Sequence, residues 1–142
     1  MKLAISVLTC ALAGCAASQS GAPNTAAPQL EGTRWSLATA TDSSGVIQAL
    51  VGKPGKPVAL SFEQGRIGIS EACNRMGGQY VMTGNTLKVS ALISTKMACE
   101  PLLMKAETEI AHQLEGNAQV EMAGEQLVLK TAQGGTLSFD RL

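Results

Sequence analysis

Two cysteines, and the helix that follows the second of them, constrain the fold of this chain more than any other feature. Cys73 begins the run Cys-Asn-Arg-Met-Gly-Gly, and Cys99 ends the run Ser-Thr-Lys-Met-Ala-Cys. A hairpin pattern lies between them, and Glu100-Pro101 leads directly into the one strongly periodic helical segment. Two cysteines, a hairpin and a helix start therefore fall within one short segment, and the rest of the chain is predicted to form sheet around it.

The helix is predicted to run from about residue 101 to residue 115. Proline is favoured in a first helical turn, where its missing N–H leaves no hydrogen bond unmade. The apolar side chains fall on one stripe, which comprises Leu103, Ala106, Ile110 and Leu114. Lys105, Glu109 and Gln113 are predicted to face away from that stripe, and Gly116-Asn117 ends the helix. We expect Trp35 to be buried near this stripe.

Most other segments of the chain alternate in the manner of strands. The predicted strands are residues 34–39, 58–62, 66–69, 79–82, 86–89, 120–122, 127–129 and 136–139, with 46–51 as a further short candidate. Glycine turns join several of them as hairpins. The pattern predicts an α+β fold, a mostly antiparallel β-sheet of hairpins with one amphipathic helix packed on it.

Two hairpins share a pattern. Tyr80-x-Met82-x-Gly84-x-x-Leu87 recurs as Val120-x-Met122-x-Gly124-x-x-Leu127. The recurrence predicts equivalent hairpins in two halves of the sheet. The segment 52–57, Gly-Lys-Pro-Gly-Lys-Pro, lacks the Gly-Lys-Ser/Thr ending of a phosphate loop and is interpreted as a rigid surface turn.

The first residues predict where the protein is sent. Lys2 is followed by an apolar run that is too short to cross a bilayer, which is typical of a secretory signal. Leu12-Ala13-Gly14-Cys15 resembles the bacterial lipobox, so residues 1–14 are predicted to be a lipoprotein signal peptide and Cys15 to carry lipid, including palmitate. The alternative is a plain signal peptide cleaved in the alanine-rich stretch beyond.

Residues 15–29 are uncharged and lack periodicity, so they are predicted to form a flexible tether ahead of a domain at 30–142. Ala16 in place of Asp after the lipidated cysteine indicates, by resemblance to the sorting pattern, the outer membrane. The domain would then face the periplasm.

Removal of residues 1–14 leaves three cysteines, of which Cys15 is the lipid acceptor. Cys73 and Cys99 then form a natural disulfide pair in an oxidising compartment. A metal site would need further ligands, and His112 is the only histidine. Free thiols are the other alternative, because a thiolate at Cys99 would be activated by the start of the helix.

The composition excludes several classes of function. The 11 Lys and Arg residues are matched by 11 Asp and Glu, and without a basic run nucleic-acid binding has no support. Gly-x-Ser-x-Gly does not occur, and any catalytic triad would have to use His112. We therefore predict that the protein is not an enzyme and needs neither cofactor nor metal. Glu107 and Glu109 are interpreted as a solvated helix face.

The residues of the domain resemble the META/HslJ-like domain of bacterial heat-inducible lipoproteins. The resemblance covers residues 30–142 and rests on these motifs: Trp35-x-Leu37, Cys73-Asn74-Arg75, Thr95-x-Met97-x-Cys99, Glu107 and Leu127-x-Leu129. It implies a compact β-rich domain with one helix, an envelope location, and links to heat stress and to tolerance of aminocoumarin antibiotics such as novobiocin. The family has no established catalytic residues, so the resemblance assigns none.

Asn74 and Arg75 are the candidate binding surface. The alternative interpretation is that Asn74 hydrogen-bonds loop backbone and Arg75 is a solvated charge. The methionines at 76, 82, 97, 104 and 122 are interpreted as core, with an adaptable binding surface as the alternative.

These observations predict a lipid-anchored envelope stress-response protein that acts as a non-catalytic binding or structural module. Its expected partners are the membrane, through the lipid on Cys15, and an envelope protein or a small apolar ligand. One alternative is an inhibitor or chaperone-like periplasmic binding module with an exposed apolar groove. The other is a thiol–disulfide enzyme, which would need Cys73 and Cys99 to be readily reducible.

Overall fold

A computed structural model describes residues 26–142 of the chain. The predicted signal peptide at 1–14, the lipidation site Cys15 and most of the predicted tether lie outside the described residues. The elements are β1 (Thr33–Asp42), β2 (Gly45–Val46), α1 (Gln48–Val51), β3 (Ala59–Glu63), β4 (Arg66–Ser70), β5 (Met76–Thr83), β6 (Thr86–Val89), β7 (Ile93–Ser94), α2 (Pro101–Leu114), β8 (Gly116–Ala123), β9 (Gln126–Thr131) and β10 (Thr136–Arg141).

Eight of the strands form a closed antiparallel barrel in the order β1, β3, β4, β5, β6, β8, β9, β10. The barrel closes because β1 pairs with β10, with Trp35 opposite Arg141 and Thr41 opposite Thr136. The two-residue strands β2 and β7 are additions at its rim, paired with β1 and β5 respectively.

The predicted architecture, a helix packed on the face of a mostly antiparallel sheet, was therefore wrong. The hairpins are present, but the sheet curves until its first and last strands meet, so no face is left for a helix to cover. Instead α2 connects the rim ends of β6 and β8 and covers one opening of the barrel. Barrel closure depends on the pairing of strands about a hundred residues apart, which alternation within each strand does not reveal.

The barrel interior is filled by alternate side chains of every long strand. In β1 these are Thr33, Trp35 and Leu37, but the next inward residue is Ala40. A bulge between Leu37 and Thr39 causes this change, because one extra residue reverses which side chains point inward. Phe62, Leu87, Val120, Leu129, Leu137 and Phe139 are all fully buried in the same core.

The two hairpins with the shared pattern are neighbours and do not lie in separate halves of the sheet. β6 of the first pairs with β8 of the second. Gly84 and Gly124 both have positive φ, 58° and 64°, as their tight turns require. Leu87 and Leu127, at the matching positions, are both fully buried.

We call the two openings of the barrel the hairpin end and the capped end. The turns at Gln64-Gly65, Gly84-Asn85 and Gly124-Glu125 lie at the hairpin end. The capped end holds α1, α2 and the long connections 71–75 and 90–100. Ala106, Ile110 and Leu114 of α2 belong to the same buried cluster as the barrel interior. The helix therefore seals the core at this end.

The predicted helix is confirmed at Pro101–Leu114, but one of its faces was misassigned. Gln113, expected to face away from the core, is only 4% exposed. Its Oε1 accepts a hydrogen bond of 2.7 Å from the hydroxyl of Thr131 at the end of β9. The amide thus joins the helix to the barrel rim, a role that an amphipathic pattern does not distinguish from a solvated position.

A chain of hydrogen bonds fixes the point at which the N-terminal segment enters the barrel. The indole N–H of Trp35 donates to the Thr33 hydroxyl at 2.7 Å, and that hydroxyl donates to the carbonyl of Leu30. Trp35 is buried as predicted, at 1% exposure. It belongs to the same buried cluster as Ile110 and Leu114 of α2.

Glu31 strengthens the hairpin end. Its carboxylate accepts hydrogen bonds from the backbone N–H groups of Gln64 and Gly65, and one of 2.7 Å from the Tyr80 hydroxyl. Burial and the bond to Glu31 raise the pKa of Tyr80 to about 12. The same bond, with those from the turn, lowers the pKa of Glu31.

The loop between α1 and β3 is held by hydrogen bonds between its own residues. Lys53, only 9% exposed, donates from Nζ to the carbonyls of Pro54 and Lys56. Burial lowers the pKa of Lys53, and the nearby Glu71 charge offsets part of that effect. The segment predicted as a rigid surface turn is thus organised around its own ammonium group. The segment predicted as a short strand at 46–51 instead contains β2 and α1.

Within residues 26–142, neither helix has the length and apolar character needed to span a membrane.

Candidate functional site

Cys73 and Cys99 are joined in a disulfide, as predicted. Cys73 lies in the connection from β4 to β5, and Cys99 lies two residues before α2. Their Cα atoms are 5.7 Å apart across a sequence separation of 26. The bond ties the capping helix to the barrel wall, and neither sulfur is a free thiol in this structure.

Asn74, next to the disulfide, holds the segment before Cys99 in place. Its Oδ1 accepts from the Met97 N–H at 2.7 Å, and its Nδ2 donates to the Met97 carbonyl at 3.2 Å. The side-chain amide therefore pairs with Met97 as a neighbouring strand would. The Thr95 hydroxyl adds a further hydrogen bond of 2.9 Å to Oδ1.

Glu107 of α2 completes this arrangement from the other side. Its carboxylate accepts from the backbone N–H of Asn74 at 2.8 Å, from Nδ2 of Asn74 at 2.9 Å and from the Ser94 hydroxyl at 2.8 Å. Burial alone would raise the pKa of Glu107, but the bonds from Ser94 and Asn74 and the charge of Lys96 lower it below its ordinary value. Glu107 is thus held as a carboxylate. We call Asn74, Met97, Glu107 and the disulfide the latch.

The two residues predicted as a binding surface occupy different places. Asn74 is 7% exposed and its amide is fully engaged in the latch. Arg75 is exposed, and its backbone is fixed by a 3.1 Å hydrogen bond from the Thr95 N–H to its carbonyl. Within residues 26–142, the guanidinium of Arg75 has neither a hydrogen bond nor an ion pair. Arg75 is the exposed member of the pair.

A cleft of about 820 Å³ opens beside the latch on the outer surface of the barrel. Its floor is the outward face of β3 and β4, and its wall is the connection 71–75 with Thr95 and Met97. Arg34 of β1 lines the opposite side. Because the wall is held by the disulfide and the Asn74 hydrogen bonds, the cleft is bounded by fixed backbone.

A smaller groove of about 330 Å³ lies on the other side of the 96–98 segment, against α2. It is lined by Met97 and Met104, which are 61% and 49% exposed, together with Lys96 and Glu107. The methionines were interpreted as core, which holds for Met76 at 6% exposure. Met97, Met104 and Met122 are instead exposed.

The sequence singled out His112 and Glu107 when catalysis and metal binding were weighed, and the structure gives both a place. His112 is exposed on α2, and among residues 26–142 no three His, Cys, Asp or Glu side chains lie together as metal ligands would. Glu107 was interpreted from the sequence as a solvated helix face, but its carboxylate oxygens are engaged by Asn74 and Ser94.

Comparison with known proteins decides the family. The sequence profile of the META domain matches residues 28–142. The chain belongs to the META domain family. Cys73, Asn74, Met97, Cys99 and Glu107, all named in the sequence resemblance, are the residues that form the latch.

Among curated relatives, the chain is 30% identical to heat shock protein HslJ of Escherichia coli (strain K12) over 92 residues. The alignment covers 61% of this chain and 66% of HslJ, just under two thirds of that relative. Through this similarity to HslJ, the META family to which the chain belongs is associated with heat shock.

Solved structures agree with the fold. An NMR structure of a protein from Burkholderia xenovorans is 27% identical, with a TM-score of 0.66, and the match covers 80% of this chain and 83% of that one. A crystal structure of a Bacteroides vulgatus protein, 14% identical with a TM-score of 0.52 and covering 76% and 91% of the two chains, shares the fold alone.

Sequence reasoning missed the floor and far side of the cleft. Arg34, Ser61 and Gly68 lie on three neighbouring strands, and no local motif links them. The signal that was available is the run of small residues at the central outward positions of β3 to β5, which are Ser61, Gly68 and Gly77.

Proposed function

We propose that this META domain protein is a lipid-anchored stress-response protein of the outer membrane that binds its partner or ligand at the cleft beside the latch, without catalysis. Heat stress and tolerance of novobiocin are the conditions in which we expect it to act. The domain faces the periplasm and is held by the lipid on Cys15.

Family and sequence support the stress and envelope parts of the proposal. The chain belongs to a family associated with heat shock, through its similarity to HslJ. The lipobox-like sequence Leu12-Ala13-Gly14-Cys15 supports the anchor. An oxidising compartment is the setting in which a disulfide such as Cys73–Cys99 persists.

The observation that carries the binding role is the position of Arg75. Its backbone is fixed by Thr95, its neighbours Asn74 and Cys73 are held by α2, and its guanidinium lines a large cleft. Because the backbone at Arg75 is already fixed, binding there would order the side chain but not the loop, and a guanidinium offers several hydrogen-bond donors to a partner.

Replacing Arg75 with Glu tests the binding role. We expect a strain that relies on this variant to lose heat and novobiocin tolerance, because the charge at the cleft is reversed. The melting temperature should be nearly unchanged, since exposed positions usually alter stability by no more than about 0.5 kcal/mol. Lys88→Glu is the matched control, since Lys88 is an exposed cation on β6 outside the cleft. If the strain keeps full tolerance while the Arg75→Glu protein is folded and normally abundant, the cleft is not the binding site.

Replacing Cys15 with Ala tests the anchor. We expect this variant to remain uncleaved at the lipobox and, once the apolar run is removed by cleavage in the alanine-rich stretch beyond, to leave the membrane fraction. A stable anchor needs more than one acyl chain, and all of them depend on this thiol. Retention of the variant in membranes after an alkaline wash would show that the anchor lies elsewhere.

A further inference from the structure

The floor of the cleft contains Gly68, and neither this glycine nor its neighbour Gly77 is required by backbone geometry. Gly68 of β4 and Gly77 of β5 are paired across the sheet. Neither is among the glycines with positive φ. Glycine inside a strand weakens the sheet, and it often marks a place where a ligand or another backbone approaches closely. What a side chain would meet in the space outside these two glycines bears on why glycine stands there.

That space belongs to one row of residues across four strands. Arg34 pairs with Ser61, Ser61 with Gly68, and Gly68 with Gly77. A Cβ atom added at Gly68 would lie 2.6 Å from Oγ of Ser61. At Gly77 it would lie 3.2 Å from a backbone carbonyl. We call Ser61, Gly68 and Gly77 the glycine floor, a strip on the outside of the barrel of which Ser61 and Gly68 line the cleft.

Arginines surround the glycine floor. Arg34 and Arg75 line the cleft on opposite sides of it, and Nη2 of Arg66 lies 3.9 Å from the Cβ position of Gly77. Within residues 26–142, none of the three has a carboxylate partner within 4.0 Å. One acidic residue, Glu71, lines the cleft. Positive charge therefore predominates above the floor.

The acidic residue lies in a strained part of the wall. Glu71 has a φ of 66°, a left-handed conformation that is costly for a residue with a side chain. The wall that it begins is held by the disulfide and the latch. The arginines thus face a cleft of defined shape.

We propose that the glycine floor binds a small molecule through a carboxylate or phosphate group, with Arg34 and Arg75 as the anion ligands and the slim body of the molecule lying on the floor. A guanidinium offers paired N–H donors that match both anions. Because Gly68 carries no side chain, a flat body can approach the backbone of β4 in the cleft. The inference rests on the proposed function in placing the ligand beside Arg75, and it adds the chemistry of that ligand.

Backbone amide signals provide a direct test with the full chain, purified as expressed in a non-ionic detergent. Benzoate and phenyl phosphate are the anionic probes, and benzyl alcohol and benzylamine are matched neutral and cationic probes. We expect benzoate or phenyl phosphate to shift the amide signals of Gly68 and Gly77 in a saturable manner, and the neutral and cationic probes to leave them unchanged. The tighter of the two anions identifies the group that the site prefers.

Substitutions assign the anion ligands. Arg34→Gln and Arg75→Gln should each lower the affinity for the anion at least about tenfold, the loss expected for a charge-assisted hydrogen bond. Lys88→Gln should bind like the native protein. Equal response to benzyl alcohol, or unaltered anion binding in both arginine variants, would overturn the inference.

The two proposals fail separately. If Arg75→Glu loses tolerance but the native protein binds neither anion, the cleft keeps its proposed binding role and its ligand is not an anion. If the native protein binds the anions selectively but Arg75→Glu keeps full tolerance, the anion site exists and has no role in the stress response.

Discussion

At the residue scale, Asn74 determines how the site is built, because one amide holds together two segments of the capped end. We predict that Asn74→Asp lowers the free energy of unfolding at pH 7 by about 3 kcal/mol. The substitution removes the donors to Met97 and Glu107, and it places a second carboxylate beside Glu107, whose Oε2 now lies 2.9 Å from Nδ2. Urea denaturation measures the change.

The matched control for that experiment is Asn117→Asp, at an exposed position of β8. It changes the net charge equally and should leave stability within about 0.5 kcal/mol of native. A comparable loss in both variants would show that charge alone, and not the latch, is responsible.

Glu107 makes the latch sensitive to acid. Its folded-state pKa is lowered below the ordinary value of 4.5, so its stabilising contribution is complete above pH 4.5 and is lost as the pH falls through the folded-state pKa. We predict that the free energy of unfolding of the native protein falls more steeply below pH 4.5 than that of Glu107→Gln. Glu125→Gln, in an exposed turn, should retain the native slope. Parallel pH profiles for all three proteins would contradict this account.

The sequence resemblance identified the residues of the latch but did not show how they join α2 to the barrel. The interpretation that Asn74 hydrogen-bonds loop backbone is confirmed by its bonds to Met97, whereas the interpretation of Glu107 as solvated was wrong. Their partnership joins positions 33 residues apart and depends on where α2 sits against the barrel. No spacing rule within the helix contains that information.

At the element scale, the disulfide is what keeps α2 attached to the wall of the cleft. We predict that changing both Cys73 and Cys99 to Ser lowers the free energy of unfolding by about 3.5 kcal/mol, from the entropy of the released loop. The melting temperature, followed by circular dichroism with and without reductant, measures it. Reductant should lower the melting temperature of the native protein and leave the melting temperature of the double variant unchanged. Equal melting temperatures for the oxidised native protein and the variant would contradict a structural role.

Individual elements were well predicted where their signal is local. The helix from Pro101 follows from one periodic segment with a proline start and a glycine stop. The hairpins follow from alternation around glycine turns, as at Gly84 and Gly124. The error at 46–51 arose because α1 is a single turn, too short to show a helical period.

At the scale of the whole molecule, closure of the barrel was not predictable, because it depends on strands at the two ends of the domain. We predict that deletion of residues 136–142 abolishes cooperative unfolding. The deletion removes β10, which pairs with both β9 and β1, and uncovers core side chains such as Leu129. Trp35 fluorescence during urea titration reports the loss.

Removal of Leu142 alone, which is 73% exposed, should retain a cooperative transition. A cooperative transition in the longer deletion would show that seven strands suffice and that closure is not required.

The pairing of β1 with β10 also sets the order in which a newly made chain acquires its structure. A chain that emerges N-terminus first from a ribosome or a translocation pore presents β1 at the start and its partner β10 at the very end. The barrel cannot close until that last strand has emerged, so the pairing of β1 with β10 comes late in folding. Cys73 and Cys99, separated by 26 residues, emerge well before that moment. An oxidising enzyme at the channel exit would meet these two thiols before the barrel closes, and we expect the disulfide to precede the finished fold.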